Sequence, residues 1–138
     1  MSLLRNDNPM TTKQARELNP LVLAYIGDGV HTLYIRLQEL SKTTGKADKL
    51  NKAVTAKVKA EAQAKSMQAI MQLLDEEEDD IFHRARNAHS HSMAKNASVS
   101  DYRIATGFEA LIGYLYLTGQ SDRLEYLLSV GEEALTKI

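Results

Sequence analysis

Asn19-Pro-Leu-Val-Leu-Ala-Tyr-Ile-Gly-Asp-Gly-Val-His-Thr-Leu-Tyr-Ile-Arg-Leu-Gln-Glu-Leu40 is the stretch whose reading decides the fold. Asn19 is a good helix N-cap and Pro20 suits the first helical position, so a helix is predicted to begin here. Leu21 to Ile26 are apolar on every side, which predicts a helix buried all round. Into that wall the sequence sets Asp28, between Gly27 and Gly29. A lone buried carboxylate has to be paired, hydrogen-bonded or bound to a cation. Each glycine costs ~1 kcal/mol of helix stability against alanine, which points to something approaching the backbone closely.

The same peculiarity recurs far along the chain. Val99 to Leu117 is a second apolar helix, with Ser98 or Ser100 as its cap and Gly119 as its stop. Glu109 interrupts it, with Gly107 and Gly113 nearby. Around these two helices the remaining segments are helical as well. A short helix is expected over about Thr11 to Leu18, bracketed by Pro9 and Pro20. Ser41 to Gly45 is a loop, and Lys46 to Leu74 repeats apolar residues at three- and four-residue steps, with a break expected near Asn51 or Thr55. Asp75 to Asp80 is an acidic run that reads as a helix start, with Arg84 and Arg86 at the other end of the dipole. Asn87 to Ser98 is small, polar and aperiodic, a loop long enough to carry function. Ser121 opens a last amphipathic helix to about Thr136. No stretch alternates as a strand does, so the expected fold is all-α, one domain over residues 1–138.

Bulk composition narrows the function classes. The chain has 138 residues, 43% apolar and 25% charged, which is ordinary for a soluble globular protein. It has no cysteine, so disulfides and thiolate metal sites are excluded and a cytoplasmic setting is expected. No apolar run could span a bilayer, the N-terminal residues lack a signal-peptide core, and no membrane partner is expected. A net charge of −1 argues against indiscriminate coating of nucleic acid, yet seven lysines between Lys42 and Lys65 face only Asp48 and Glu61.

Two apolar helices, each with one stranded carboxylate, form the strongest signal. Asp28 and Glu109 either meet basic or amide partners inside a helix bundle or converge on a cation. An oxygen-only donor set suits a hard ion, Mg²⁺ or Mn²⁺, rather than zinc. His89 and His91 form a His-x-His pair, but the supporting ligands of a zinc site are missing, and His31 reads as a buried, hydrogen-bonded histidine. Arg84, Arg86, His89, Lys95 and Arg103 cluster in and around the long loop near Glu109, as a phosphate-contacting rim would.

Tyr25-Ile-Gly-Asp-Gly29 resembles the Leu-Gly-Asp signature of the ribonuclease III family, and Thr106-Gly-Phe-Glu-Ala-Leu-Ile-Gly-Tyr-Leu-Tyr-Leu117 resembles its second motif. The more specific resemblance is to the Mini-III ribonucleases, the bacterial branch without a double-stranded-RNA-binding domain. It is carried by Asn19 to Asp28, by Arg84-Ala-Arg-Asn-Ala88, by Lys95-Asn96 and by Tyr102 to Leu111. It implies an all-helical endonuclease domain that forms a two-fold homodimer, and Mg²⁺-dependent cleavage of double-stranded RNA to 5′-phosphate and 3′-hydroxyl ends. The implied substrate is precursor large-subunit ribosomal RNA, with a large-subunit ribosomal protein as an assisting partner.

The departures from the family pattern bear on the metal. Larger ribonuclease III enzymes carry glutamates four and seven residues before the signature aspartate, where this chain has Ala24 and Leu21. Thr106 stands where an aspartate usually precedes the second-motif glutamate, and Gly29 replaces the usual alanine. On this reading Asp28 and Glu109 are the catalytic metal ligands, and a two-carboxylate site should hold Mg²⁺ weakly. Thr106 is a candidate to orient a metal-bound water, and Asp101 lies too far round the helix for a direct ligand. Arg84, Arg86, His89, Lys95, Asn96 and Arg103 would touch phosphates or 2′-hydroxyls. The rival readings are a ribonuclease-III-like scaffold that binds ribosomal RNA without cutting it and, further off, an all-α nucleotide hydrolase.

Overall fold

A computed structural model of the chain describes residues 4–42, 45–88 and 98–136. Every regular element among them is helical: α1 Thr12–Arg16, α2 Pro20–Leu40, α3 Ala47–Val58, α4 Ala60–Ile70, α5 Glu76–Arg86, α6 Val99–Leu117 and α7 Ser121–Thr136, with a short 3₁₀ turn at Met71–Leu73. The caps are where the sequence puts them. Asn19 Oδ1 accepts from the Leu21 amide at 2.9 Å, and Ser98 Oγ accepts from the Asp101 amide at 3.0 Å. Asp75 caps α5 in a reciprocal box with Glu78, so the acidic run does open a helix.

One expected break moves. The long helical region divides at Lys59, whose extended backbone ends α3 and starts α4, and not at Asn51 or Thr55. Lys59 offers no side-chain cap there, so the break carries no local capping signature. It lets Ala62, Gln63, Ser66, Met67 and Ile70 turn inward on α4 while only Val54 of α3 is buried.

The centre of the molecule is the pair α2 and α6, which pack on each other more extensively than any other two helices. They meet backbone to backbone. A Cβ at Gly27 would fall on the Glu109 carbonyl, and one at Gly113 would fall on the Leu23 carbonyl. Helices this close need glycine at the crossing, which accounts for Gly27. It does not account for Gly29, beside which the chain leaves open space. Leu23, Ile35, Phe108, Leu111, Ile112 and Leu115 fill the core around the crossing, with Phe82 of α5 and Leu124 of α7 closing it.

The expectation of an α2 buried all round is corrected. Leu23, Ala24 and Gly27 are buried, but Val22 is 46%, Tyr25 79%, Leu33 49% and Leu40 55% exposed. These four recur along one side of the helix, so an apolar stripe faces outward from the chain. No helix among the described residues is long and apolar enough to cross a membrane.

One buried ion pair braces the bundle. Glu78, only 2% exposed, receives Arg123 Nε at 2.9 Å and Nη2 at 2.8 Å, tying α5 to α7.

Candidate active site

The crossing of α2 and α6 carries the two stranded carboxylates with it. Gly27 lies on the Glu109 carbonyl, so Asp28, the next residue, is brought to Glu109 across the helix interface. Their carboxyl groups come close enough to interact, each acidic group bearing on the other. Asp28 faces solvent and Glu109 is half-buried, so the pair has one open side and one walled side.

The electrostatic consequence is large. Burial first, and then the Asp28 carboxyl in contact with it, push the Glu109 carboxyl up to about 9, against a smaller opposing effect of Gln63. Two carboxylates in contact cannot both ionise unless a positive charge joins them. Without a cation, Glu109 therefore keeps its proton at neutral pH.

A third helix reaches the pair from behind. Gln63 of α4, 2% exposed, places its Nε2 3.4 Å from Glu109 Oε2 and 3.1 Å from His31 Nδ1. His31 is buried three residues after Asp28, and burial lowers it to about 4 against the opposing pull of Asp28, so its imidazole is neutral. Its ring stands edge-on to Phe108, centroids 5.0 Å apart, and Phe108 immediately precedes Glu109. The expected buried, hydrogen-bonded His31 is what the fold contains. Gln63 is barely distinguished in the sequence. The only available signal was a polar residue beside Ala62 and Met67 on the inward side of α4, which it shares with Ser66.

The residues fit a hard divalent ion. Both donors are carboxylate oxygens held within reach of one another, and one retains a proton that a cation would replace. Among the described residues no group of three or more His, Cys, Asp or Glu side chains could hold a metal, so the two carboxylates alone would hold such an ion and water would complete its shell. Thr106 sits one turn before Glu109, but its hydroxyl donates to the Tyr102 carbonyl at 3.0 Å, leaving its oxygen to accept.

The basic rim divides. Arg86 and Arg103 line a hollow of about 540 Å³ with Asn87, Val99, Ser100 and Ile104, between the end of α5 and the start of α6. Arg86 lies 5.9 Å above the Phe82 ring. Arg84 turns the other way and donates from Nη1 to the Arg16 carbonyl at 3.0 Å, which ties it to α1. His89, Lys95 and Asn96 lie outside the described residues.

The model of the ribonuclease III domain matches residues 21–120, which includes both carboxylates and the whole α2–α6 crossing. A "Mini-ribonuclease 3" of Thermoanaerobacter is 44% identical over 135 residues, covering 98% of this chain and 95% of that protein. The "Mini-ribonuclease 3" of Enterococcus faecalis is 48% identical over 116 residues, 83% of this chain and 88% of its own length. Among solved structures, the crystal structure of protein FN1578 from Fusobacterium nucleatum superposes with a TM-score of 0.78 at 32% identity, covering 87% of this chain and 96% of that one.

Proposed function

The chain belongs to the ribonuclease III family, in its Mini-III branch, and is an endoribonuclease; from that premise we propose that it cuts double-stranded RNA with Asp28 and Glu109 as the ligands of a Mg²⁺ ion, for which Mn²⁺ can substitute. The observation that carries this reading is the contact of the two carboxyl groups, with Glu109 held protonated by burial and by Asp28. Such a pair is costly as it stands and is relieved by a divalent cation.

A bound Mg²⁺ would polarise the scissile phosphate and lower the pKa of a water it holds. The chain's own groups do the rest. Asp28, on the open side, presents its carboxylate to the incoming backbone, while Glu109 is walled in by α4 and keeps a fixed direction. Arg86 and Arg103, flanking one hollow, are suited to neighbouring phosphates of a duplex strand. Recognition by such contacts is of duplex shape and charge, so binding should weaken steeply with salt. The substrate we assign is a duplex within precursor large-subunit ribosomal RNA, cut to 5′-phosphate and 3′-hydroxyl ends, as the resemblance to Mini-III ribonucleases implies.

We also assign a two-fold homodimer. The exposed stripe of Val22, Tyr25, Leu33 and Leu40 supports it, because an apolar face along most of a 21-residue helix gains from being covered.

The test is cleavage of a long RNA duplex and of ribosomal precursor, with and without Mg²⁺. Wild-type protein should cut only with the metal, and Asp28→Asn and Glu109→Gln should lose cleavage while still binding duplex. Full activity in either variant would refute the assignment of the ligands. Duplex binding with no cleavage by wild type under any divalent ion would favour the non-cutting scaffold.

A further inference from the structure

We infer that Gln63 is a positioning residue of the metal site, fixing the direction of the Glu109 carboxylate and so setting how tightly the acidic pair holds its ion. This rests on the reading of Asp28 and Glu109 as the metal ligands. Gln63 is fully enclosed, yet its amide nitrogen lies within hydrogen-bond distance of two side chains, Glu109 Oε2 at 3.4 Å and His31 Nδ1 at 3.1 Å. One NH₂ group has two hydrogens, so both contacts can be made at once.

The second contact gives the first its direction. His31 Nδ1 accepts from Gln63, and the imidazole is itself held by the perpendicular Phe108 ring. The amide is thus pinned at one end to α2, through His31, and delivers its other hydrogen to α6, at Glu109. His31 stands on the same helix as Asp28 and Phe108 stands next to Glu109, so each ligand-bearing helix supplies one part of the clamp. A core position on α4 between Ala62 and Ala64 would accept an apolar side chain of similar size. An amide there is explained by what it touches. Partners that orient a metal ligand from behind typically change metal affinity by about 10–100-fold when removed.

The test compares wild type with Gln63→Met, which keeps the length and loses both N–H groups, and with His31→Phe, which keeps the ring and loses the acceptor. Mn²⁺ affinity is measured directly by electron paramagnetic resonance, with no RNA present, and the half-saturating Mg²⁺ is measured in duplex cleavage. Gln63→Met should weaken Mn²⁺ binding about tenfold and raise the half-saturating Mg²⁺ by a like factor, with duplex affinity in the absence of metal unchanged. His31→Phe should move both in the same direction by less. A general structural defect would lower duplex binding and would not be recovered by raising Mg²⁺. Melting curves identify any variant that fails to fold; if Gln63→Met does, His31→Phe decides. Wild-type Mn²⁺ affinity in the folded variants overturns the role of Gln63. Asp28→Asn and Glu109→Gln are run alongside: if they too bind Mn²⁺ as wild type does, the ligand assignment has failed instead.

Discussion

Replacing Glu109 with glutamine should remove a pH dependence of stability that the metal-free protein owes to this one carboxyl. In the folded chain, burial and then the Asp28 contact raise it from 4.5 to about 9. Between those values the folded state holds a proton that the unfolded chain has released. The stability Glu109 contributes is therefore complete below the unfolded value and is lost as pH rises towards the folded one. A single proton of this kind is worth up to ~1.4 kcal/mol for each pH unit crossed. The carboxyl keeps some solvent exposure on the open side of the pair and water screens part of the effect, so the expected loss is ~1–2 kcal/mol between weakly acidic and weakly basic solution. The assay is urea unfolding in EDTA at several pH values across that window, followed by circular dichroism. Glu109→Gln should gain on wild type steadily as pH rises. Saturating Mg²⁺ should reverse the trend for wild type alone, because the ion binds the ionised pair. Parallel pH curves for the two proteins in EDTA would refute the reasoning, since Glu109 would then be titrating as an ordinary carboxyl.

The glycines make unequal predictions: Gly27→Ala drives a methyl into the Glu109 carbonyl and should cost ~2–4 kcal/mol in melting experiments, enough to separate the two carboxylates as well. Gly29→Ala meets open space and should stabilise α2 by ~0.5–1 kcal/mol, and equal losses at the two positions would contradict the crossing geometry. Arg123→Ala strips the buried Glu78 of its two-bond partner and should lower stability by ~3 kcal/mol, read as a shift of the urea midpoint. Tyr25→Asp places a charge in the exposed apolar stripe and should convert a dimer into a monomer in sedimentation velocity; a wild-type protein already monomeric at micromolar concentration would sink that assignment.

Much of the helix plan could be read along the chain, because helix starts and stops are local. Asn19, Asp75 and Ser98 cap the helices they precede through hydrogen bonds two or three residues long. The break expected near Asn51 or Thr55 falls at Lys59 for the complementary reason: no side chain caps α4, and the division serves what α4 packs against. Asp28 and Glu109 were conspicuous as charges in apolar helices. Their contact depends on the crossing at Gly27 and Gly113, a long-range event that spacing within one helix cannot encode.

What the sequence determined by itself was an all-helical chain with two unusual acidic helices, since periodicity, caps and composition are properties of neighbours. Only the tertiary structure decided which glycine is squeezed, which side of α2 stays bare, that Arg84 leaves the basic rim for α1, and that Gln63 stands behind the acidic pair. Each of these is a matter of which faces meet. Burial and hydrogen bonding between residues tens of positions apart settle that, and a buried glutamine looks the same in sequence as an exposed one.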